Sequence, residues 1–304
     1  MNATGKIILA SPRGFCAGVR RALNAVEQVL ARQGAPIYVF HEIVHNDYVV
    51  HSLRERGVVF VDDLADVPDG VTLVFSAHGV GREIEEAAAA RGLKVIDATC
   101  PLVKKIHHSA RTSQAQGHDV VLIGHRGHPE ITGTCGQLDR PPYIVENTAD
   151  AAALPPLNRP VWLSQTTLCA DEIAPVIAAL EQRFPDIEAG GGICYATRNR
   201  QQAIRALCGV CDFILVIGSP KSSNSKRLLE IAARSGVHAQ LINNPLEIDL
   251  KALPRGGCIG VTAAASAPEI LVEETVHCLK LLGWNDCEEL KTADENVNFS
   301  PPVS

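Results

Sequence analysis

The chain has 304 residues, 46% apolar and 20% charged, a balance that fits a globular protein of two or three domains and excludes disorder. Its net charge is −6 with no long basic run, and no apolar stretch nears a membrane span, so neither nucleic acid nor a membrane is an expected partner. Residues 1–6 run straight into strand-like Ile7–Ala10 and offer no signal peptide, so the ten cysteines read as reduced thiols, metal ligands or catalytic groups of a cytoplasmic protein.

In chain order, Ile7–Ala10 is followed by a turn, Pro12-Arg13-Gly14, and then by Cys16 at the head of a helical pattern over 17–32. A strand over 36–40 runs to His45-Asn46, a short helix and a weaker strand over 58–61 follow, and a strand over 73–75 ends near His78. The same order then recurs. Cys100 opens a helix over 101–116, a strand over 120–123 runs to His128 and Glu130, a weaker strand covers 143–145, and one over 161–163 ends at Thr166-Thr167. Cys194 opens the third set: a helix over 195–209, a strand over 213–217 running to Ser222-Ser223-Asn224, a weaker strand over 239–242, and one over 258–261 ending near Ser266.

A repeated order of elements is far less accidental than one cysteine before one helix. Strand and helix alternate, so each repeat is expected to be a small parallel-sheet α/β domain, over 1–99, 100–193 and 194–304, the last with a C-terminal tail. Ligands of such sheets bind beyond the carboxyl ends of the strands. All six polar loops lie at those ends, so a pseudo-three-fold arrangement would aim three cysteines and six loops at one centre.

A helix N-terminus favours thiolate over thiol and attracts anions. Closed structural zinc sites and iron–sulfur cubes want four protein ligands, and no fourth cysteine takes an equivalent position. Three ligands at Cys16, Cys100 and Cys194 therefore suggest an iron–sulfur cluster with one iron open to substrate. His45, His78 and His128, with Ser222, Ser223, Asn224 and Ser266, supply donors without an acidic metal cage, which suits an oxyanion of diphosphate size. Glu130 reads equally as a proton donor or as a first-turn acid stabilised by its helix. Cys208, Cys258 and Cys278 have core surroundings; Cys135, Cys169 and Cys287 carry no partner pattern.

Two motifs compete. His41-Glu42-Ile43-Val44-His45 matches the HExxH of zinc hydrolases but directly follows a strand, and Cys208-Gly209-Val210-Cys211 is a CxxC in the reversed order, helix before strand. A non-catalytic iron–sulfur sensor is the other rival, and it would need neither the donor loops nor Glu130. No GxGxxG follows a strand and no GxxxxGK[ST] occurs, so a reductase of this sequence would draw electrons from a partner protein.

The motifs PRGFCAGVRRA at 12–22, HEIVHN at 41–46, FSAHGV at 75–80, DATCPLV at 97–103 and GHRGHPE at 124–130 occur in that order. SQTTL at 164–168, ICYATRNRQ at 193–201, SSNSKRL at 222–228 and VTAAASAP at 261–268 continue it. Over about 6–299 the chain thus resembles the 4-hydroxy-3-methylbut-2-enyl diphosphate reductases, the IspH/LytB family. The resemblance implies one 4Fe–4S cluster held by Cys16, Cys100 and Cys194, isolated as 3Fe–4S when the open iron is lost, with that iron taking the substrate hydroxyl. It implies an allylic diphosphate bound by His45, His78, His128, Ser222, Ser223, Asn224 and Ser266, with proton delivery by Glu130 helped by Thr166. Electrons would come from ferredoxin or flavodoxin. Ala264 stands where the family pattern has glycine, and Pro220-Lys221 where it has Lys-Asn.

Overall fold

The computed structural model describes residues 5–302. It opens with β1 (Gly5–Ser11) and α1 (Ala17–Gln33), then β2 (Ile37–Phe40), α2 (Asp47–Glu55), β3 (Val58–Val61), β4 (Thr72–Phe75), α3 (Arg82–Ala90) and β5 (Lys94–Asp97). Next come α4 (Pro101–Ala115), β6 (Val120–Ile123), α5 (Pro129–Gly136), β7 (Tyr143–Val145), α6 (Thr148–Ala153), β8 (Val161–Ser164), α7 (Ala170–Arg183) and β9 (Glu188–Gly191). The chain closes with α8 (Tyr195–Cys208), β10 (Phe213–Ile217), α9 (Ser223–Arg234), β11 (His238–Ile242), β12 (Cys258–Ala263), α10 (Glu269–Leu281) and β13 (Trp284–Lys291).

The strands form three parallel sheets in the orders β3-β2-β4-β5, β7-β6-β8-β9 and β11-β10-β12-β1-β13. The first four positions of each order correspond. The fourth, supplied by β5 and β9 in two sheets, is filled in the third by β1, the first strand of the chain. In every sheet this strand leads directly to a cysteine: β5 to Cys100, β9 to Cys194 and β1 to Cys16. Ile7 registers with Ile259 on one side and Cys287 on the other.

The central strands are nearly continuous apolar runs, as sheets covered on both faces require: Val120-Val121-Leu122-Ile123 and Phe213-Ile214-Leu215-Val216-Ile217 are buried throughout. Helix α1 places Ala22, Ala25, Val26 and Val29 on one buried face, the i, i+3, i+4, i+7 spacing of an amphipathic helix. Strand β13 is different: it is polar and mostly exposed, held by Lys6–Glu288 at 2.7 Å and Arg13–Glu289 at 2.8 Å. Charges along an outer strand also discourage edge-to-edge pairing.

The chain divides into two compact units. One holds the chain up to Ala17, His45–Ser52 and Tyr195–Asn298, and with them the five-stranded sheet; the other holds Gly18–Val44, Leu53–Cys194 and the chain from Phe299, with both four-stranded sheets.

Candidate active site

The three cysteines share a local frame. Each precedes the first residue of a long helix: Cys16 before α1, Cys100 as the N-cap of α4, Cys194 before α8. Each backbone N–H donates to the carbonyl of the loop that leaves the neighbouring strand: Cys16 to Ala265 at 3.2 Å, Cys100 to Ala77 at 3.0 Å, Cys194 to Thr166 at 3.1 Å. Those loops also carry Ser266, His78 and Thr166. Each thiol is half-buried.

The helix starts differ in charge as well. Among the described residues six of the ten α-helices carry a carboxylate in the first turn; α1, α4, α8 and α9 have none. An acid there would satisfy the positive helix end. Those four are the three that follow the cysteines and the one that begins at Ser222-Ser223-Asn224, so no acid of their own offsets the positive end.

In the unit with two sheets, the rings of His78 and His128 stand edge to face with centroids 6.1 Å apart. His128 is the N-cap of α5, and its Nδ1 accepts from the Glu130 N–H at 3.1 Å. An accepting Nδ1 carries no proton, so the ring presents Nε2–H as a donor. The buried Ser76 hydroxyl lies 3.4 Å from His78 Nδ1; with the hydroxyl as donor, His78 takes the same tautomer. Both rings then carry their proton on Nε2.

Glu130 lies one residue into α5 and is buried. Its carboxylate accepts from Thr166 N–H at 2.7 Å and from Thr166 Oγ1–H at 3.0 Å. Burial pushes its pKa up from the ordinary 4.5 to about 7, because the Thr166 bonds only partly offset the loss of water. A carboxyl that exchanges its proton near neutral pH can act as a general acid.

In the other unit, Ser222 caps α9 by accepting from Ser225 N–H at 3.3 Å, which leaves its own O–H to donate. Asn224 is buried, yet neither its Nδ2 nor its Oδ1 has a hydrogen-bond partner. Two orphaned polar atoms on one buried side chain cost several kcal/mol, roughly 1–3 apiece, unless a ligand satisfies them. Ser223 stands beside them, also buried. Ser266 donates its O–H to the His45 carbonyl at 3.1 Å, which ties these two loops together, and that hydroxyl must rotate before it can donate elsewhere.

The departures from the family pattern are accommodated. Ala264 is buried, and its Cβ packs against Gly218, where a side chain would meet it at 3.1 Å. Lys221 forms an ion pair with Asp47 at 2.8 Å, and Asp47 also accepts from the buried Ser219 hydroxyl at 2.9 Å. The Lys221 partner holds the Asp47 carboxyl below its ordinary range. Nothing in the sequence signalled this bracket beside the Ser222–Asn224 loop.

The HExxH segment is not helical: α2 starts only at Asp47, and His41, with φ of 60°, bonds Asp62 at 2.8 Å. One-turn spacing of two zinc ligands on a helix is therefore not available. Cys211 and Cys258 approach each other at 3.4 Å, and burial pushes both thiols up. Cys278 and Cys287 pack on the core of the five-stranded sheet, and Cys169 shares a capping box with Glu172. Among the described residues no cysteine is in a disulfide, no group of three or more His, Cys, Asp or Glu side chains stands as a metal-holding cluster, and no helix is long and apolar enough to cross a membrane.

Known proteins resemble the chain over nearly its full length. Residues 7–280 match the family described as LytB protein. A 4-hydroxy-3-methylbut-2-enyl diphosphate reductase of Actinobacillus succinogenes is 50% identical over 304 residues, covering 98% of this chain and 97% of the relative. The structure of an E-1-hydroxy-2-methyl-but-2-enyl-4-diphosphate reductase from Plasmodium falciparum superposes with a TM-score of 0.93 at 40% identity, covering 98% of this chain and 96% of the other. A further solved structure, of an (E)-4-hydroxy-3-methyl-but-2-enyl diphosphate reductase described as the terminal enzyme of the non-mevalonate pathway, gives 0.67 at 30% identity over 91% of this chain and all of its own.

Proposed function

The chain belongs to the LytB protein family, and from that premise we propose that it catalyses the reductive dehydroxylation of 4-hydroxy-3-methylbut-2-enyl diphosphate. The products are isopentenyl and dimethylallyl diphosphates, formed in the last step of the non-mevalonate pathway. The enzyme is an iron–sulfur oxidoreductase. Two electrons and two protons enter, the allylic C–O bond breaks, a C–H bond forms, and the hydroxyl leaves as water.

Cys16, Cys100 and Cys194 are the ligands we assign to a single 4Fe–4S cluster with one open iron. The donor set fits such a group: soft thiol sulfurs, each half-buried at a helix start that carries no acid. When bound, the cluster supplies one-electron transfer. Ferredoxin or flavodoxin is the donor and the cytoplasm the location that this family reading carries with it. The division into 1–99, 100–193 and 194–304 remains our description of the repeats.

The chain's own residues do the rest. His78 and His128 offer Nε2–H groups, Ser222 offers its hydroxyl, and Asn224 and the start of α9 offer unpaired polar groups; with His45, Ser223 and Ser266 they would hold the diphosphate. Glu130 would hold a proton at its carboxyl and release it to the departing hydroxyl, with Thr166 Oγ1 fixing the carboxyl and passing the proton. The observation that carries this reading is Glu130 itself, a buried carboxyl poised at about 7 with Thr166 as its hydrogen-bonding clamp.

The test is anaerobic turnover of the allylic diphosphate with an artificial reductant, beside Mössbauer spectra of the loaded protein. Conversion to the two isomeric diphosphates with a cubane spectrum is expected. A loaded protein that binds iron and sulfide but releases no product would favour the sensor class instead.

A further inference from the structure

Two arginines, Arg200 fully buried and Arg21 half-buried, stand in places that proton transfer and diphosphate binding leave unexplained. Arg200, on α8, is fully buried. Its Nε and Nη2 both donate to the carbonyl of Gly14, at 3.0 and 2.6 Å, and Nη1 donates to Ala196 O at 2.8 Å. Glu295, beyond β13, neutralises it at 2.9 Å and is itself held by Asn199 at 3.1 Å. Gly14 lies two residues before Cys16. In the other unit Arg21, on α1, donates from Nη1 to the carbonyl of Thr99 at 2.9 Å and from Nε to Ser300 O at 2.8 Å. Thr99 immediately precedes Cys100.

The two arrangements have one logic. A guanidinium leaves the helix that follows one cysteine and grips the peptide just ahead of a different cysteine. A C-terminal residue, Glu295 or Ser300, occupies the remaining face of that guanidinium. Burying the charged Arg200 guanidinium is costly even with Glu295 beside it, and the fork geometry of arginine fixes the direction of the carbonyl it grips in a way a lysine point charge does not. The peptide so fixed, Thr99–Cys100 in one case and Gly14–Phe15, one residue further ahead, in the other, constrains the backbone from which the cysteine side chain leaves.

We propose that Arg200 and Arg21 are positioning residues that set the direction of the Cys16 and Cys100 thiols, and that the C-terminal segment around Glu295 and Ser300 seats them. The proposal rests on the reading of these cysteines as ligands, but its signature is confined to the loops. In full-length protein freed of iron, alkylation by iodoacetamide is mapped by mass spectrometry at Cys16, Cys100, Cys194 and the buried Cys211. Arg200→Lys keeps the charge facing Glu295 but loses the fork, and it is expected to speed alkylation at Cys16 by about five- to tenfold, the scale of one lost hydrogen bond. Cys100, Cys194 and Cys211 should keep their rates. Arg21→Lys should act on Cys100 alone, and Glu295→Gln should reproduce the Cys16 effect in milder form should Arg200→Lys not fold. An unchanged Cys16, or a rise shared by Cys194 and Cys211, would overturn the proposal by showing a general structural role. Retained cluster absorption in Cys16→Ser would instead defeat the ligand reading and leave the positioning result standing.

Discussion

The two ends of the five-stranded sheet use the same residue types to opposite effect. At the carboxyl ends of its strands, beyond β1, β10 and β12, lie Cys16, Ser222-Ser223-Asn224 and Ser266, with polar atoms left open and a helix start free of acid. At the amino ends, Cys211 before β10 and Cys258 at the head of β12 face each other, and burial pushes both thiols up. The neighbours of the thiols differ at the two ends: a helix start free of acid in one place, removal from water in the other.

The largest effect that separates the ends is loss of the cluster. Cys16→Ser, Cys100→Ser and Cys194→Ser should each abolish the visible absorption of the loaded protein, while Cys208→Ser and Cys211→Ser keep it. A colourless Cys211→Ser beside a coloured Cys100→Ser would reverse the assignment of the two ends.

Next in size is Glu130, where the same burial that silences Cys211 is put to use. Glu130→Gln keeps the shape but cannot deliver a proton, and turnover should fall by roughly 10²–10⁴-fold with little change in substrate affinity. The acid must be protonated to act, so wild-type turnover should decline as pH rises through about 7, and Glu130→Gln should lose that limb. Near-normal turnover in this variant would move the proton source to water or to the diphosphate.

Smaller again is the loss of one donor. His128→Ala should weaken diphosphate binding by about tenfold to a hundredfold, the worth of a charge-assisted hydrogen bond, measured by titration of the oxidised protein. An unchanged affinity would remove His128 from the anion site.

Stability reads the same carboxyl from the other side. The folded pKa of Glu130 lies above its ordinary 4.5, so its proton contributes stability that is fully present below about 4.5 and lost as pH rises through about 7. Thermal melts of Glu130→Gln should lack this portion of the decline. Smallest of all, Cys258→Ala should cost about 1 kcal/mol through lost packing and leave turnover alone.

The repeats were legible because cysteines and polar loops recur in one order, and because central strands such as Phe213–Ile217 are unbroken apolar runs. Three strands were not. Strand β9 reads Glu-Ala-Gly-Gly, with no β-branched residue; Gly190 is needed because a Cβ would fall 2.8 Å from a Val161 methyl. Strand β5 reads Lys-Val-Ile-Asp, with its two apolar residues adjacent, and β13 is polar, so neither shows the alternation that marks a half-buried strand. The site residues were readable by type and spacing, but the direction of their protons was not. The His128 tautomer, the orphaned Asn224 amide and the Ser266 bond to His45 depend on partners that only folding supplies. Arg200 was visible as a basic residue near a helix start; its burial and its grip on Gly14 depend on Glu295, almost a hundred residues away in sequence.

Among the described residues strand β1 is made before every other strand, yet its two neighbours, β12 and β13, are made after all the others. Until then β1 has no sheet to join, and the floor beneath Cys16, the Ala265 carbonyl, does not exist. Contacts between such distant parts of a chain form slowly, because the whole intervening loop must close. The carbonyls that seat Cys100 and Cys194 are made before β12, whereas the one that seats Cys16 lies just beyond it. Chains arrested before β12 are therefore expected to leave the Cys16 loop unformed while the other two cysteine loops are already in place, which makes β12 and the loop after it the checkpoint for that corner of the fold.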